Sequence, residues 1–147
     1  MSGQSSESGS PLVVAIDPGR ARYGVAVVAA HGATIVRRVG CAPDAADDVL
    51  GLVERYQPLA VVLGGGTGGG SLMRALRQRS PGLTIDVVDE AHTSEMARAR
   101  WLVEHPPRGW RRLVPRGLLT PDTPYDDLVA VILAERWWAT HRQDFAT

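Results

Sequence analysis

Five acidic residues stand at the ends of apolar runs. Asp17 ends the apolar run LVVAI, although aspartate is depleted in strands. Asp89 and Glu90 end a second stretch, LTIDVVDE, and Asp126 and Asp127 open a third, LVAVILA. Each has an ordinary structural reading. Asp17 can bond the backbone of the Pro18-Gly19 turn, Asp89 and Glu90 can serve as loop polarity or favour a helix N-terminus, and Asp126 fits a Thr123-Pro124-Tyr125-Asp126 cap. Direction argues for more. Asp126 shares a helical face with Ala130, Leu133 and Trp137, which must point inward, and a cap explains that direction less well. Period-two alternation sends Asp89 and Glu90 to opposite faces, so at most one of them reaches a shared site. Three carboxylates meeting in apolar surroundings repel one another and lose hydration unless a cation neutralises them. Oxygen ligands without cysteine or clustered histidine select Mg²⁺ or Mn²⁺. Two such ions, about 3.5–4 Å apart, clamp the attacking and leaving oxygens of a phosphodiester.

A complement for a polyanion lies between the second and third acids. All sixteen basic residues are arginines, and six of them (Arg98, Arg100, Arg108, Arg111, Arg112, Arg116) fall within 98–116 against one acid, Glu104. That local excess of positive charge also contains Trp101 and Trp110, and it is placed to grip a phosphate backbone. The whole chain has zero formal net charge, so the nucleic-acid signal is local. With 147 residues, 44% of them hydrophobic, the expectation is one domain around one core. No apolar run is long enough to span a bilayer, and MSGQSSESGSP lacks the apolar region of a secretory signal. A single cysteine, Cys41, makes neither an internal disulfide nor a cysteine zinc site. The expected setting is cytoplasmic, with no membrane partner.

The elements that must position these residues follow from periodicity. Residues 1–11 are Ser/Gly-rich and read as a disordered tail, with the domain over 12–147. Strand-like runs at 12–17, 23–29 and 34–40 are too close together for parallel pairing, so they predict an antiparallel meander. The period then changes: helices are expected at 44–56, 71–79, 93–104 and 124 to about 140, with strands at 59–63 and 83–90. Thr93 or Ser94 is the expected cap of the third helix. A Pro-, Gly- and Arg-rich loop of about 20 residues precedes the last helix, a length that usually marks function or disorder. The result is an α/β domain with a five-stranded mixed sheet, three antiparallel strands followed by strands joined through helical crossovers.

Four segments in order, IDPGRARYGVAVV, VVLG before a Gly-rich turn, VVDEAHTSEMA and PYDDLVAVILAERW, are similar to the YqgF branch of the RuvC-like RNase H fold. The resemblance spans about residues 12–140. It implies a metal-dependent nuclease with Asp17, Glu90 and Asp126 as catalytic metal ligands; Asp126 aligns better than Asp127, and Asp89 is a lesser candidate. It also implies a pair of Mg²⁺ or Mn²⁺ ions and a nucleic-acid substrate. The YqgF branch is associated with trimming precursor 16S ribosomal RNA, and the RuvC branch with cutting Holliday junctions, where paired cleavage requires a homodimer. Two departures stand out: Ala91 follows Asp89-Glu90 where the family usually carries arginine, and GGGTGGG replaces a Pro-containing segment.

Competing signals are present. Gly64-x-Gly66-x-x-Gly69 matches a dinucleotide fingerprint, but a stretch this glycine-rich matches many spacings, and the unit follows a meander rather than opening the domain. A Walker A loop is excluded because there is no lysine. His31, His92, His105 and His141 are scattered, with His92 two residues after Glu90. Trp137 and Trp138 are expected to pack the last helix or a dimer contact, while Trp101 and Trp110 either anchor the loop or stack on bases. A non-catalytic RNA- or ribosome-binding protein on the same scaffold, its acids structural, is the alternative to an enzyme.

Overall fold

Strand alternation builds a sheet covered on both faces. The computed structural model describes residues 9–66, 68–115, 118–119, 121 and 123–144, so Arg116 and most of the expected tail lie outside the described residues. Strands β1 (Leu12–Pro18), β2 (Arg22–Ala29) and β3 (Thr34–Cys41) form the antiparallel meander. Helix α1 (Ala45–Tyr56), β4 (Val61–Gly64), α2 (Gly69–Arg79), β5 (Ile85–Val88), α3 (Thr93–Glu104) and α4 (Asp126–His141) follow. The sheet order is β3-β2-β1-β4-β5, with β1–β4 and β4–β5 parallel. This is the mixed five-stranded sheet that the periodicity predicts.

Val14, Ile16, Val25, Val27, Val61 and Leu63 pack against α1 and α2. Their alternates Val13, Ala15, Ala26, Val28 and Val62 pack against α3 and α4. Helix α4 is buried from Leu128 to Ala134 and again at Trp137 and Trp138, as its all-round apolar sequence requires. The two tryptophans pack this helix: the Trp138 indole donates to the Val28 carbonyl at 3.2 Å and that of Trp137 to Asp86 at 2.7 Å.

The row of β1 and β2 beneath the start of α4 is made of small residues. Ala15 pairs with Ala26, and Asp17 pairs with Gly24. A Cβ on Gly24 would overlap the backbone of Asp126 and Asp127. The missing side chain therefore lets the first turn of α4 rest on the sheet beside Asp17.

Two expected caps differ. Helix α4 begins at Asp126, not Pro124, with Tyr125 as N-cap and no side-chain capping bond. Thr123 instead accepts the Trp101 indole N–H at 3.1 Å, so a buried tryptophan takes the hydroxyl that a cap would have used. At α3 the N-cap is His92 in the left-handed region, φ 62°, and neither Thr93 nor Ser94 caps.

Candidate active site

Asp17 follows Val13 and Ala15 on the α4 face and ends at the mouth of the sheet, where glycines flank it on that face. Gly24 of β2 pairs with it directly; on the other side Ile16 pairs with Leu63, so Gly64 of β4 is the next step along. Gly24 seats the start of α4. Gly64 seats Glu90, because a Cβ there would overlap Glu90 Oε1, and one on Gly66 would overlap Oε2. The chain reaches this position because β5 stops at Val88 rather than at residue 90. Asp89 turns outward, its Oδ1 accepting the Ala91 N–H at 2.9 Å, and Glu90 folds back over β4. Thr93 then holds the Glu90 carbonyl, its hydroxyl donating at 2.7 Å and its N–H at 3.0 Å.

The electrostatics of this seat are unfavourable without a cation. Asp17 is pushed up to about 8, first by burial, then by its hydrogen bond with Glu90 and by the charges of Glu90 and Asp126. A bond between two carboxyl groups needs a shared proton, since carboxylates accept and do not donate. Glu90 Oε1 is fully buried and without a hydrogen-bond partner among the described residues. An orphaned buried acceptor costs about 1–3 kcal/mol, and a native site that keeps one invites a ligand. Asp126 faces the same place but its Oδ2 accepts the exposed Arg22 Nε at 3.3 Å. Among the described residues no group of three or more His, Cys, Asp and Glu side chains is placed to hold a metal ion. The third carboxylate takes an arginine, while burial and the neighbouring carboxyls hold the Asp17 pKa high. The donor set, all hard oxygen with one orphaned lone pair, fits a hard divalent cation.

No protein-family model and no curated protein matches the chain by sequence. Among solved structures it is similar to Thermus thermophilus RuvC, with 18% identity and a TM-score of 0.58, covering 92% of this chain and 97% of that one. It is also similar to T. thermophilus RuvC in complex with a Holliday junction substrate, with 16% identity and a TM-score of 0.56, covering 92% and 96%. The fold is RNase H-like.

Within this RNase H-like fold the other acids have separate partners. Asp127 binds Arg37 Nε at 3.0 Å, and Arg37 also donates to both oxygens of Glu104 at 2.9 and 3.1 Å. Asp127 thus ties α4 to β3 and α3, away from Asp17, while Asp89 is exposed. Of the loop cations, Arg108 and Arg112 are exposed, and Arg111 is half-buried against a cavity of about 320 Å³ floored by Trp101 and Leu119. Arg100 differs from the expectation: it pairs with both oxygens of Glu135 on α4, so its charge is spent between two helices. Arg98 is half-buried. His92 is exposed and lies 3.4 Å from Glu95.

The dinucleotide reading fails at Gly64 and Gly66, since the room they leave is filled by the Glu90 carboxylate. Sequence reasoning missed four contributors: Gly24, Gly64, Arg22 and Arg136. Arg136 on α4 donates to the carbonyls of Asp89 at 2.7 Å and Ala91 at 2.5 Å, bracketing Glu90. Here α4 supplies an arginine to the strand end that carries alanine at 91. Same-face counting along β1, β2 and β4 would have exposed the glycines; no local pattern points to the arginines.

Proposed function

We propose that this chain is a divalent-metal-dependent nuclease that hydrolyses phosphodiester bonds in single-stranded or branched nucleic acid. The observation that carries this reading is the buried Asp17–Glu90 pair: two carboxyl groups seated by glycines, with one orphaned oxygen and Asp126 beside them. Asp17, Glu90 and Asp126 would hold Mg²⁺ or Mn²⁺. The ion supplies polarisation of a phosphoryl oxygen and acidification of a water. Asp17 would hold the ion as a carboxylate, having released its proton to solvent, and Glu90 is kept in place by Gly64, Gly66 and Thr93. Asp126 would hold the ion in place of Arg22, whose exposed guanidinium would then be available to a phosphate oxygen. Arg108 and Arg112 hold the flanking backbone.

The likeness to a junction-bound RuvC over nearly its whole length favours branched substrates, whereas the motif resemblance to YqgF favours precursor ribosomal RNA. Symmetric junction cutting would need two copies of the chain. The test is cleavage of labelled single-stranded RNA, single-stranded DNA and a four-way junction with Mn²⁺, Mg²⁺ or chelator, comparing wild type with Asp17→Asn. Metal-dependent cutting lost in the variant is expected, and the preferred substrate separates the two branches. Wild type that binds RNA yet cuts nothing with any metal would give way to the binding-module reading.

A further inference from the structure

The loop between α3 and α4 exposes three large apolar side chains. Trp110 is 74% exposed, Leu113 88% and Leu118 72%. A loop that needs an apolar anchor already has one. Trp101 is buried, its N–H is satisfied by Thr123 and its ring stacks on His105 at 4.2 Å, and Leu119 is buried beside it. Trp110 does no anchoring. It is the second residue of a short 3₁₀ turn, Gly109–Leu113, whose first residue adopts a left-handed φ of 60°.

The charge around Trp110 says what would cover it. Residues 105–119 contain Arg108, Arg111, Arg112 and Arg116 and no aspartate or glutamate, so an occupant must be anionic as well as apolar. A second copy meeting this face on itself would set the arginines against one another. Nucleic-acid bases meet both demands, since every base has a face that stacks on an indole and a phosphate beside it. A paired duplex hides those faces; an unpaired or splayed strand shows them.

Resting on the nuclease reading, we infer that Trp110 is a base-stacking platform that selects unpaired nucleotides, with Arg108 and Arg112 holding the adjacent phosphates. In the chain, Thr123 closes this loop three residues before Asp126.

The experiment measures binding in chelator, where no cutting occurs. The probes are a fully paired DNA duplex and a duplex of equal length and charge carrying an unpaired 2-aminopurine loop. Wild type should prefer the looped probe and quench its fluorescence. Trp110→Ala should lose that preference, weakening looped-probe binding about tenfold or more while duplex affinity and its salt dependence stay unchanged. Trp110→Phe should restore most of it. Equal weakening on both probes, an unchanged preference in Trp110→Ala, or a changed oligomeric state in place of lost quenching would overturn the stacking role. A wild type that binds both probes equally overturns it too and leaves the nuclease reading standing; one that binds neither overturns both.

Discussion

Replacing Gly64 by alanine should disarm the site while leaving the fold intact. The added Cβ would overlap Glu90 Oε1 and come within 2.8 Å of Cδ and 3.1 Å of Cγ, all at the far end of a flexible side chain, with no backbone atom among the three nearest. Glu90 can swing outward, and β4 need not move. Alanine also removes backbone freedom from the unfolded chain, a gain of about 0.4–1 kcal/mol. Releasing an orphaned carboxylate oxygen to water recovers part of about 1–3 kcal/mol. Stability should therefore be unchanged or slightly raised. Function should not survive: displacing a reacting group by about 1 Å costs on the order of 100-fold, close to 2.7 kcal/mol of barrier. The assay pairs urea unfolding with Mn²⁺ titration and cleavage of labelled strands. A folded Gly64→Ala protein with wild-type Mn²⁺ affinity and turnover would show that the Glu90 seat carries no chemistry. Unfolding would show that the glycine serves the backbone rather than the carboxylate.

Gly24→Ala should behave in the opposite way, because its Cβ meets the backbone of Asp126 and Asp127. Overpacking of this kind costs about 1–3 kcal/mol, read as a lower urea midpoint together with lost cleavage. Asp17 sets a pH dependence. Its folded pKa of about 8 lies above the ordinary 3.8, so between those values the metal-free fold holds a proton that the unfolded chain has released. Stability at this site is thus complete below about pH 4 and declines towards pH 8. Melting in chelator should show that decline, Asp17→Asn should flatten it, and Mn²⁺ should reverse it at pH 8; a wild-type slope in Asp17→Asn would refute the assignment. Arg136→Met should keep the packing of α4 but free the Asp89 and Ala91 carbonyls, lowering Mn²⁺ affinity and turnover together, with hydrogen exchange accelerated at Ala91 and neighbouring amides. Asp127→Asn should remove one of two carboxylate partners of Arg37 and change stability by less than about 1 kcal/mol, with cleavage retained.

Features carried by local period and chemistry were legible in the sequence. The meander follows from strands too close for parallel pairing, the crossovers from the change to helical spacing, and the burial of α4 from its all-round apolar face. Ala130, Leu133 and Trp137 are buried as their shared face predicts, whereas Asp126 at the start of that face stays partly exposed and pairs with Arg22. The strand and helix ends were less legible. Nothing near Thr123 reveals that Trp101, twenty-two residues earlier, takes its hydroxyl, and nothing near Arg100 reveals Glu135 on another helix. Separating Asp126 from Asp127 likewise depends on Arg37 of β3, a partner that only the tertiary fold supplies.

The glycines and arginines around Asp17 make one arrangement. Carboxylates do not approach one another spontaneously, so the chain must force them together and then limit the damage. Force comes from packing: Gly24 lets α4 settle until Asp126 stands beside β1, and Gly64 with Gly66 leaves a hollow that Glu90 fills. Arg136 and Thr93 hold the backbone around Glu90, so the carboxylate cannot escape by moving its main chain. Damage is limited by replaceable groups: a proton kept on Asp17, whose pKa is pushed up to about 8, and the exposed Arg22 on Asp126. The held parts are buried or bonded to backbone, and the replaceable parts are a proton and a solvent-exposed side chain. A site meant only to stabilise the fold would gain by the reverse, with the acids dispersed or replaced by apolar side chains. Repulsion kept at the sheet mouth beside exchangeable neutralisers is the feature on which the proposed cation-binding role of these acids rests.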